Sequence, residues 1–238
     1  MNTITLNILR FNPEIDEKPY VQVVEKIKFD PIDTVLDILL KVKNQFDSTL
    51  TFRYSCKCTI CGSCAMRING VSKLACGTKV SEVIQNDIVN IEPLVNFPVI
   101  KDLVVDLDPL IRGLYAIVPW IVRDQTKPLP EKGYIIKPEQ LSETLLKMDR
   151  CILCGICHFD NTTKDTTDAT NGGSLPSPVL MVKALKLMLD PRDSLSKSRL
   201  KQLIELGLLL HPEECDVICP KGIDIASDVI RPLKEKVG

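Results

Sequence analysis

No stretch of this sequence is long and apolar enough to cross a bilayer. The longest uncharged run near its middle, Gly113 to Val122, is ten residues, about half of the ~20 that a spanning helix needs. Any association with a membrane is therefore expected to pass through a partner. The chain also lacks an excess of charge. Lys and Arg number 30 against 31 Asp and Glu, for a net charge of −1. That leaves no basic footprint for nucleic acid and no polybasic membrane signal. No secretory signal is expected, because Met1 to Phe11 alternates in character instead of forming an apolar run. It is not an Arg-rich transit segment either, although a processed organellar protein would have lost one. There is no Gly-rich phosphate loop to cradle a flavin or nucleotide. Histidine is scarce: the two residues are His158 and His211.

Cysteine, by contrast, is plentiful. Ten cysteines in 238 residues fall at metal-ligand spacings, which points to thiolate ligation in a reducing compartment instead of a disulfide framework. The stretch SCKCTICGSCAMRINGVSKLAC holds Cys56, Cys61, Cys64 and Cys76 as C-x4-C-x2-C, then eleven residues, then C. This is the plant-type ligand spacing of a [2Fe–2S] cluster. Gly62 and Ser63 are small enough to let backbone N–H groups approach cluster sulfurs, and Asn69-Gly70 is a hairpin signal that returns Cys76 to the loop. The competing reading is a structural zinc knot, but zinc sites favour paired short spacings, which this loop lacks. Cys58 is left unassigned by this spacing.

The flanking pattern fits such a loop. Thr3 to Phe11 alternates with Ile4, Leu6 and Ile8 on one face, which predicts a strand, and Tyr20 to Phe29 predicts a second. Thr34 is a good N-cap for a helix to about Phe46, with Val35, Leu36, Ile38, Leu39 and Val42 as its apolar stripe. Two short strands flank Asn69-Gly70, and Ile88 to Ile91 closes the unit, in the order of a β-grasp ferredoxin. Prolines at 93, 98, 109 and 119 punctuate the next stretch, with short helical pieces expected at Asp102–Leu107 and Leu110–Ala116. Gln125 to Lys137 reads as a connecting loop. Trp120, the single tryptophan, is expected to pack in a core. Helices are expected at Pro138–Met148, from Ser177-Pro178 to about Leu189, at Ser196–Leu206 with Gly207 as its stop, and from about Ile223, ended or kinked by Pro232. The polar run between Asp160 and Ser177 reads as an exposed loop. The expected class is α+β: a β-grasp [2Fe–2S] domain over 1–97, an interdomain segment over 98–137, and an all-α ferredoxin-like domain over 138–238.

That second domain carries its own cysteine set. Cys151, Cys154 and Cys157 form C-x2-C-x2-C, and Cys219-Pro220 supplies a distant fourth thiol followed by proline. This predicts a [4Fe–4S] cluster on Cys151, Cys154, Cys157 and Cys219, with zinc as the competing occupant. Both clusters carry negative charge, whose burial needs compensation. Backbone amides supply most of it, with Arg53, Lys57, Arg67, Arg150 and Lys221 close by in sequence.

These residues together resemble the iron–sulfur subunit of succinate dehydrogenase and fumarate reductase. The first cluster loop, VIKDLVVDLDPL, CILCGIC, PVLMVKALKLMLDPRDS and CPKGIDI are each similar to the family's motifs, over nearly the whole chain. The resemblance implies an FAD-bearing flavoprotein partner that oxidises succinate or reduces fumarate. It also implies electron flow through [2Fe–2S], [4Fe–4S] and [3Fe–4S] clusters to a quinone at membrane anchor subunits. The implied location is the cytoplasmic face of the cell membrane, or the matrix side in a mitochondrion. The sequence departs from the family at the third cluster: two of its three cysteine positions hold Asn161 and Leu209, and Cys215 alone remains. The [3Fe–4S] cluster is therefore expected to be absent. The Pro and aromatic residues of the family's quinone pocket are replaced by NTTKDTTD.

His158, Asp160, His211 and Cys215 form a candidate mixed-ligand metal site near that vacated position. The leading functional expectation is an electron-transfer subunit with no catalytic residue of its own. The alternatives are a structural adaptor paralogue in a respiratory assembly, a subunit of a related dehydrogenase with another acceptor, and a zinc-binding interaction protein.

Overall fold

The structure is a computed structural model and describes residues 2–95, 97–131, 133, 136–158, 177–210, 212–215 and 217–237. It divides into two compact units, Met1–Leu107 with Ile152–Phe159, and Asp108–Cys151 with Asp160–Gly238.

The first unit is built on a five-stranded mixed sheet. Strands β1 (Asn2–Arg10) and β2 (Tyr20–Phe29) form an antiparallel pair, and helix α1 spans Val35–Gln45. Strands β3 (Ala65–Ile68) and β4 (Val71–Leu74), the short helix α2 (Val80–Val83) and strand β5 (Ile88–Glu92) follow. The sheet order is β2-β1-β5-β3-β4, with β1 and β5 parallel. This is the expected β-grasp arrangement. Alternation along β1 places Ile4, Leu6 and Ile8 at 1% exposure or less. Helix α1 covers that face with Val35, Leu36, Ile38, Leu39 and Val42, the predicted stripe. Its start is a full capping box: the Asp37 N–H donates to Thr34 Oγ1, and the Thr34 N–H donates to the Asp37 carboxylate. Asn69 and Gly70 take φ of 49° and 78°, the left-handed pair that lets a two-residue turn match the twist of β3 and β4.

The segment after the sheet differs from expectation. Asp102–Leu107 is not helical. Val99–Lys101 (β6) and Val104–Val105 (β7) form a small antiparallel pair instead. The β-branched residues on both sides favour extended backbone, and Asp102 turns the chain with φ of 49°. The Asp102 carboxylate accepts from the Phe11 and Thr51 N–H groups and from the buried Arg10 guanidinium. Arg10 also reaches Asp47 at 2.6 Å and Thr49 at 3.0 Å. The β6–β7 turn is thereby tied to the end of β1 and to the chain leaving α1.

The second unit is helical: α3 (Asp108–Ala116), α4 (Glu143–Asp149), α5 (Pro178–Leu189), α6 (Ser196–Glu205) and α7 (Arg231–Glu235). Helix α4 starts later than predicted because Ser142 caps it, accepting from the Leu145 N–H, while Pro138–Gln140 is only a 3-10 turn. Helix α5 is buried along most of its length, from Pro178 to Leu187. Ser177 stands at its N-cap position, yet its hydroxyl makes no capping bond. Helix α3 packs so tightly on α5 that a β-carbon on Gly113 would meet Leu180 Cδ2 at 2.9 Å. Gly207, with φ of 97°, stops α6 as expected. Pro232 neither ends nor breaks the last helix: a π-helical turn over Ile225–Ile230 precedes it, and Pro232 sits in the first turn of α7.

Arg199 is the anchor of this unit. It is fully buried, pairs with the buried carboxylate of Asp193, and donates to the carbonyls of Ile117, Val118 and Trp120. These carbonyls belong to the turn after α3, where Val118 is held at φ of 50°. Trp120 itself is 53% exposed and meets Tyr115 edge-on, so the expected core role is not what the fold gives it. The polar run between Asp160 and Ser177 lies outside the described residues.

Candidate iron–sulfur centres

The loop from Thr51 to Cys64 has no regular secondary structure, and its path is set by backbone conformation. Lys57, Thr59 and Gly62 adopt φ of 57°, 59° and 72°. Left-handed residues at alternating positions turn successive N–H groups toward one side, which makes a nest for anions. Here the N–H groups of Cys58, Ile60 and Cys61 donate to Cys56 Sγ at 3.4, 3.3 and 3.3 Å. The Thr59 N–H donates to Cys76 Sγ at 3.3 Å, and the Cys76 N–H to Cys64 Sγ at 3.5 Å. Ser63 Oγ lies 3.0 Å from Cys61 Sγ. The predicted four residues are thus brought into one polar cradle.

Strands β3 and β4 do the positioning. Ala65 pairs with Leu74, so Cys64 and Cys76 leave the two ends of one hairpin on the same side. Both are buried, whereas Cys61 is exposed and Cys56 half-buried. The environments split their acidity. Three amide donors pull the Cys56 thiol down to about 6, while burial pushes Cys64 up to about 12. Cys58 is exposed, and its thiol is shifted up, first by a hydrogen bond to Cys56.

Glycine is required at two places where the loop is crossed. A β-carbon on Gly77 would run into Thr59 Cγ2. One on Gly62 would stand 2.8 Å from Cys154 Cβ. The first cysteine loop therefore lies directly against the second motif.

In that second motif Cys151 follows the end of α4, its N–H still donating to Met148 O at 3.2 Å. Leu153 and Gly155 then take φ of 55° and 78°, and a 3-10 turn spans Ile156–His158. The Lys221 N–H donates to Cys219 Sγ at 3.4 Å, and Gly222 N–H closes the turn onto Cys219 O at 3.0 Å. Cys154 and Cys157 belong to the first unit, and Cys151 and Cys219 to the second. No disulfide joins any of the ten cysteines.

The candidate mixed site is described only in part. His158 stacks on Phe97 with ring centroids 4.8 Å apart, and burial lowers its pKa below the usual histidine value. Cys215 is half-buried in the second unit. Asp160 and His211, like Asn161, lie outside the described residues. Leu209 is 52% exposed. Among the described residues no three His, Cys, Asp or Glu side chains gather as a single metal ion requires.

Sequence reasoning expected main-chain donors to sulfur but not which residues supply them, because main-chain groups have no side-chain signature. It also missed the Gly62–Cys154 and Gly77–Thr59 approaches, which join segments far apart in the chain.

Comparison with known proteins agrees with this geometry. The family described as a 2Fe-2S iron-sulfur cluster binding domain matches residues 5–112. The mitochondrial succinate dehydrogenase [ubiquinone] iron-sulfur subunit of Dictyostelium discoideum is 33% identical over 225 residues, covering 93% of this chain and 78% of that one. The fumarate reductase iron-sulfur subunit of Mycobacterium tuberculosis is 33% identical, covering 97% and 92%. A chain of the Mycobacterium smegmatis Sdh1 complex in the apo form superposes with a TM-score of 0.81 at 26% identity, covering 99% and 95%. With the cysteine cradle, the β-grasp sheet and the helical second half all in agreement, this chain belongs to the family of succinate dehydrogenase and fumarate reductase iron–sulfur subunits.

Proposed function

We propose that this chain relays electrons between an FAD-bearing flavoprotein subunit and an acceptor in a succinate dehydrogenase or fumarate reductase complex. The carrying observation is the set of five backbone N–H groups aimed at the sulfurs of Cys56, Cys64 and Cys76. Donors of this kind stabilise sulfur that carries negative charge, which is how a protein holds and tunes a cluster. The residues fit a [2Fe–2S] cluster on Cys56, Cys61, Cys64 and Cys76. A [4Fe–4S] cluster is assigned to Cys151, Cys154, Cys157 and Cys219 from their spacing, and the N–H of Lys221 on Cys219 Sγ supports that assignment. When bound, such clusters supply reversible one-electron storage. The chain's own residues fix the thiolates and set the local charge.

The standard [3Fe–4S] cluster is proposed to be missing, because an amide at Asn161 and an alkyl group at Leu209 cannot ligate iron. The functional division proposed is a [2Fe–2S] domain over 1–97, a connecting segment over 98–137 and a [4Fe–4S] domain over 138–238. Among the described residues no helix is long and apolar enough to cross a membrane. Attachment at the membrane face is assigned to anchor subunits or to another acceptor subunit. Loss of the third relay centre favours, as a second reading, an acceptor other than a quinone bound in the family's usual place.

The test is EPR of the anaerobically purified complex with iron and sulfide analysis. Expected are roughly six irons per chain, the sum of the two clusters, and signals that appear on reduction by succinate or dithionite. A colourless, iron-free protein overturns the reading. A [3Fe–4S] signal in the oxidised complex overturns the assigned loss of the third cluster.

A further inference from the structure

We propose that Arg53 is a positioning residue that sets the reduction potentials of both clusters through its charge. This rests on the cluster assignments above. A cavity of about 160 Å³ in the first unit is lined by Arg53, Cys61, Ser63, Leu103, Leu107 and Cys154, among others. It therefore touches one ligand residue of each cluster. Its other walls are largely apolar, apart from Ser63 and the guanidinium of Arg53.

Arg53 is held there by a single bond: its Nη1 donates to Val105 O at 2.9 Å. Among the described residues no carboxylate pairs with it, unlike Arg10, which has two, and Arg199, which has one. Arg53 is solvent-exposed, so water screens part of its charge, and the remainder acts on the two ligand residues that line the same cavity, Cys61 and Cys154. Reduction adds one negative charge to a cluster. A fixed positive charge favours that state and raises the potential, by an amount that solvent screening reduces. Gly62 brings the two motifs together, so one guanidinium serves both. The hydrogen bond to Val105 fixes its position on β7, the strand that replaces the helix expected there.

The test is an EPR-monitored redox titration of the intact complex carrying Arg53→Gln, Arg53→Met or Arg53→Lys, with iron content and melting temperature measured alongside. The two neutral variants differ in polarity, so one remains informative if the other fails to load iron. The expected result is a lower midpoint potential for both clusters in the neutral variants, with Arg53→Lys closest to wild type. A neutral variant with wild-type iron content and an unchanged potential at either cluster overturns the proposal. So does a pattern in which all three variants lose thermal stability alike while the potentials stay put, because that marks a structural role through Val105. Absence of iron from the wild-type complex is a different result: it defeats the cluster assignment itself.

Discussion

Gly62 and Cys154 meet so closely that a β-carbon added to the glycine would lie 2.8 Å from the cysteine Cβ and 3.0 Å from its Cα. Ninety-one positions separate them in the sequence. Their contact puts the loop proposed to hold the [2Fe–2S] cluster against a residue proposed to ligate the [4Fe–4S] cluster, a proximity that suits electron tunnelling between them. Gly62 also holds φ of 72°, so Gly62→Ala meets both a steric and a conformational obstacle. The left-handed strain alone costs about 1–3 kcal/mol. The expected outcome is a lower melting temperature, slower electron transfer between the two centres and reduced iron content. A variant with wild-type iron and wild-type intercluster rate would show that the close packing is dispensable.

Serine in place of Cys56, Cys61, Cys64 or Cys76 is expected to remove or strongly alter the [2Fe–2S] signal. In the cases of full loss, iron falls by about two of roughly six per chain. The same replacement at Cys58 or Cys215 is expected to leave iron content and both spectra unchanged. Metal analysis and EPR of the six variants separate ligands from spare thiols, and loss of a cluster in Cys58→Ser would revise the ligand set.

Arg199→Met is expected to be among the most damaging single changes. It leaves the Asp193 carboxylate buried without its partner and strips donors from three carbonyls. Breaking a buried pair on one side costs about 3–5 kcal/mol. Lysine cannot copy the planar fork, so Arg199→Lys should recover little. Denaturant unfolding measures this, and a loss under about 1 kcal/mol would place the pair among those of no consequence.

Two of the thiols proposed as ligands, Cys56 and Cys64, should titrate far apart in the iron-stripped chain. The thiolate is the nucleophile, and three amide donors hold Cys56 at about 6. Alkylation of Cys56 should therefore rise with pH through about 6 and level off near neutrality. Cys64, pushed up to about 12 by burial, should stay protonated and slow throughout. Mass spectrometry of peptides after timed iodoacetamide exposure gives both profiles. A Cys56 rate that keeps climbing through the ordinary thiol range would mean that the amides do not stabilise its sulfur as the structure indicates.

Local pattern made much of this protein legible. The alternation of β1, the Thr34 capping box, the apolar stripe of α1 and the Asn69-Gly70 turn all depend on neighbours a few residues apart, and each appears as expected. Cysteine spacing pointed to both ligand sets for the same reason: three thiols on one loop must face one centre. Where competing local readings were close, context decided. The Val-rich segment after Asp102 became a strand because its turn is tied to Arg10 and Thr51. Pro232 fitted inside α7 because a π-helical turn precedes it.

By itself, then, the sequence determined the α+β class and the family, and it supplied the thiols proposed as ligands, since periodicity and ligand spacing are short-range properties of the chain. Only the tertiary structure decided that Trp120 faces solvent, that Arg199 holds the turn after α3, that Gly62 packs on Cys154, and that Arg53 lines one cavity with Cys61 and Cys154. The physical reason is that burial, charge pairing and close approach belong to pairs of residues many positions apart, and no local pattern encodes which of them will meet.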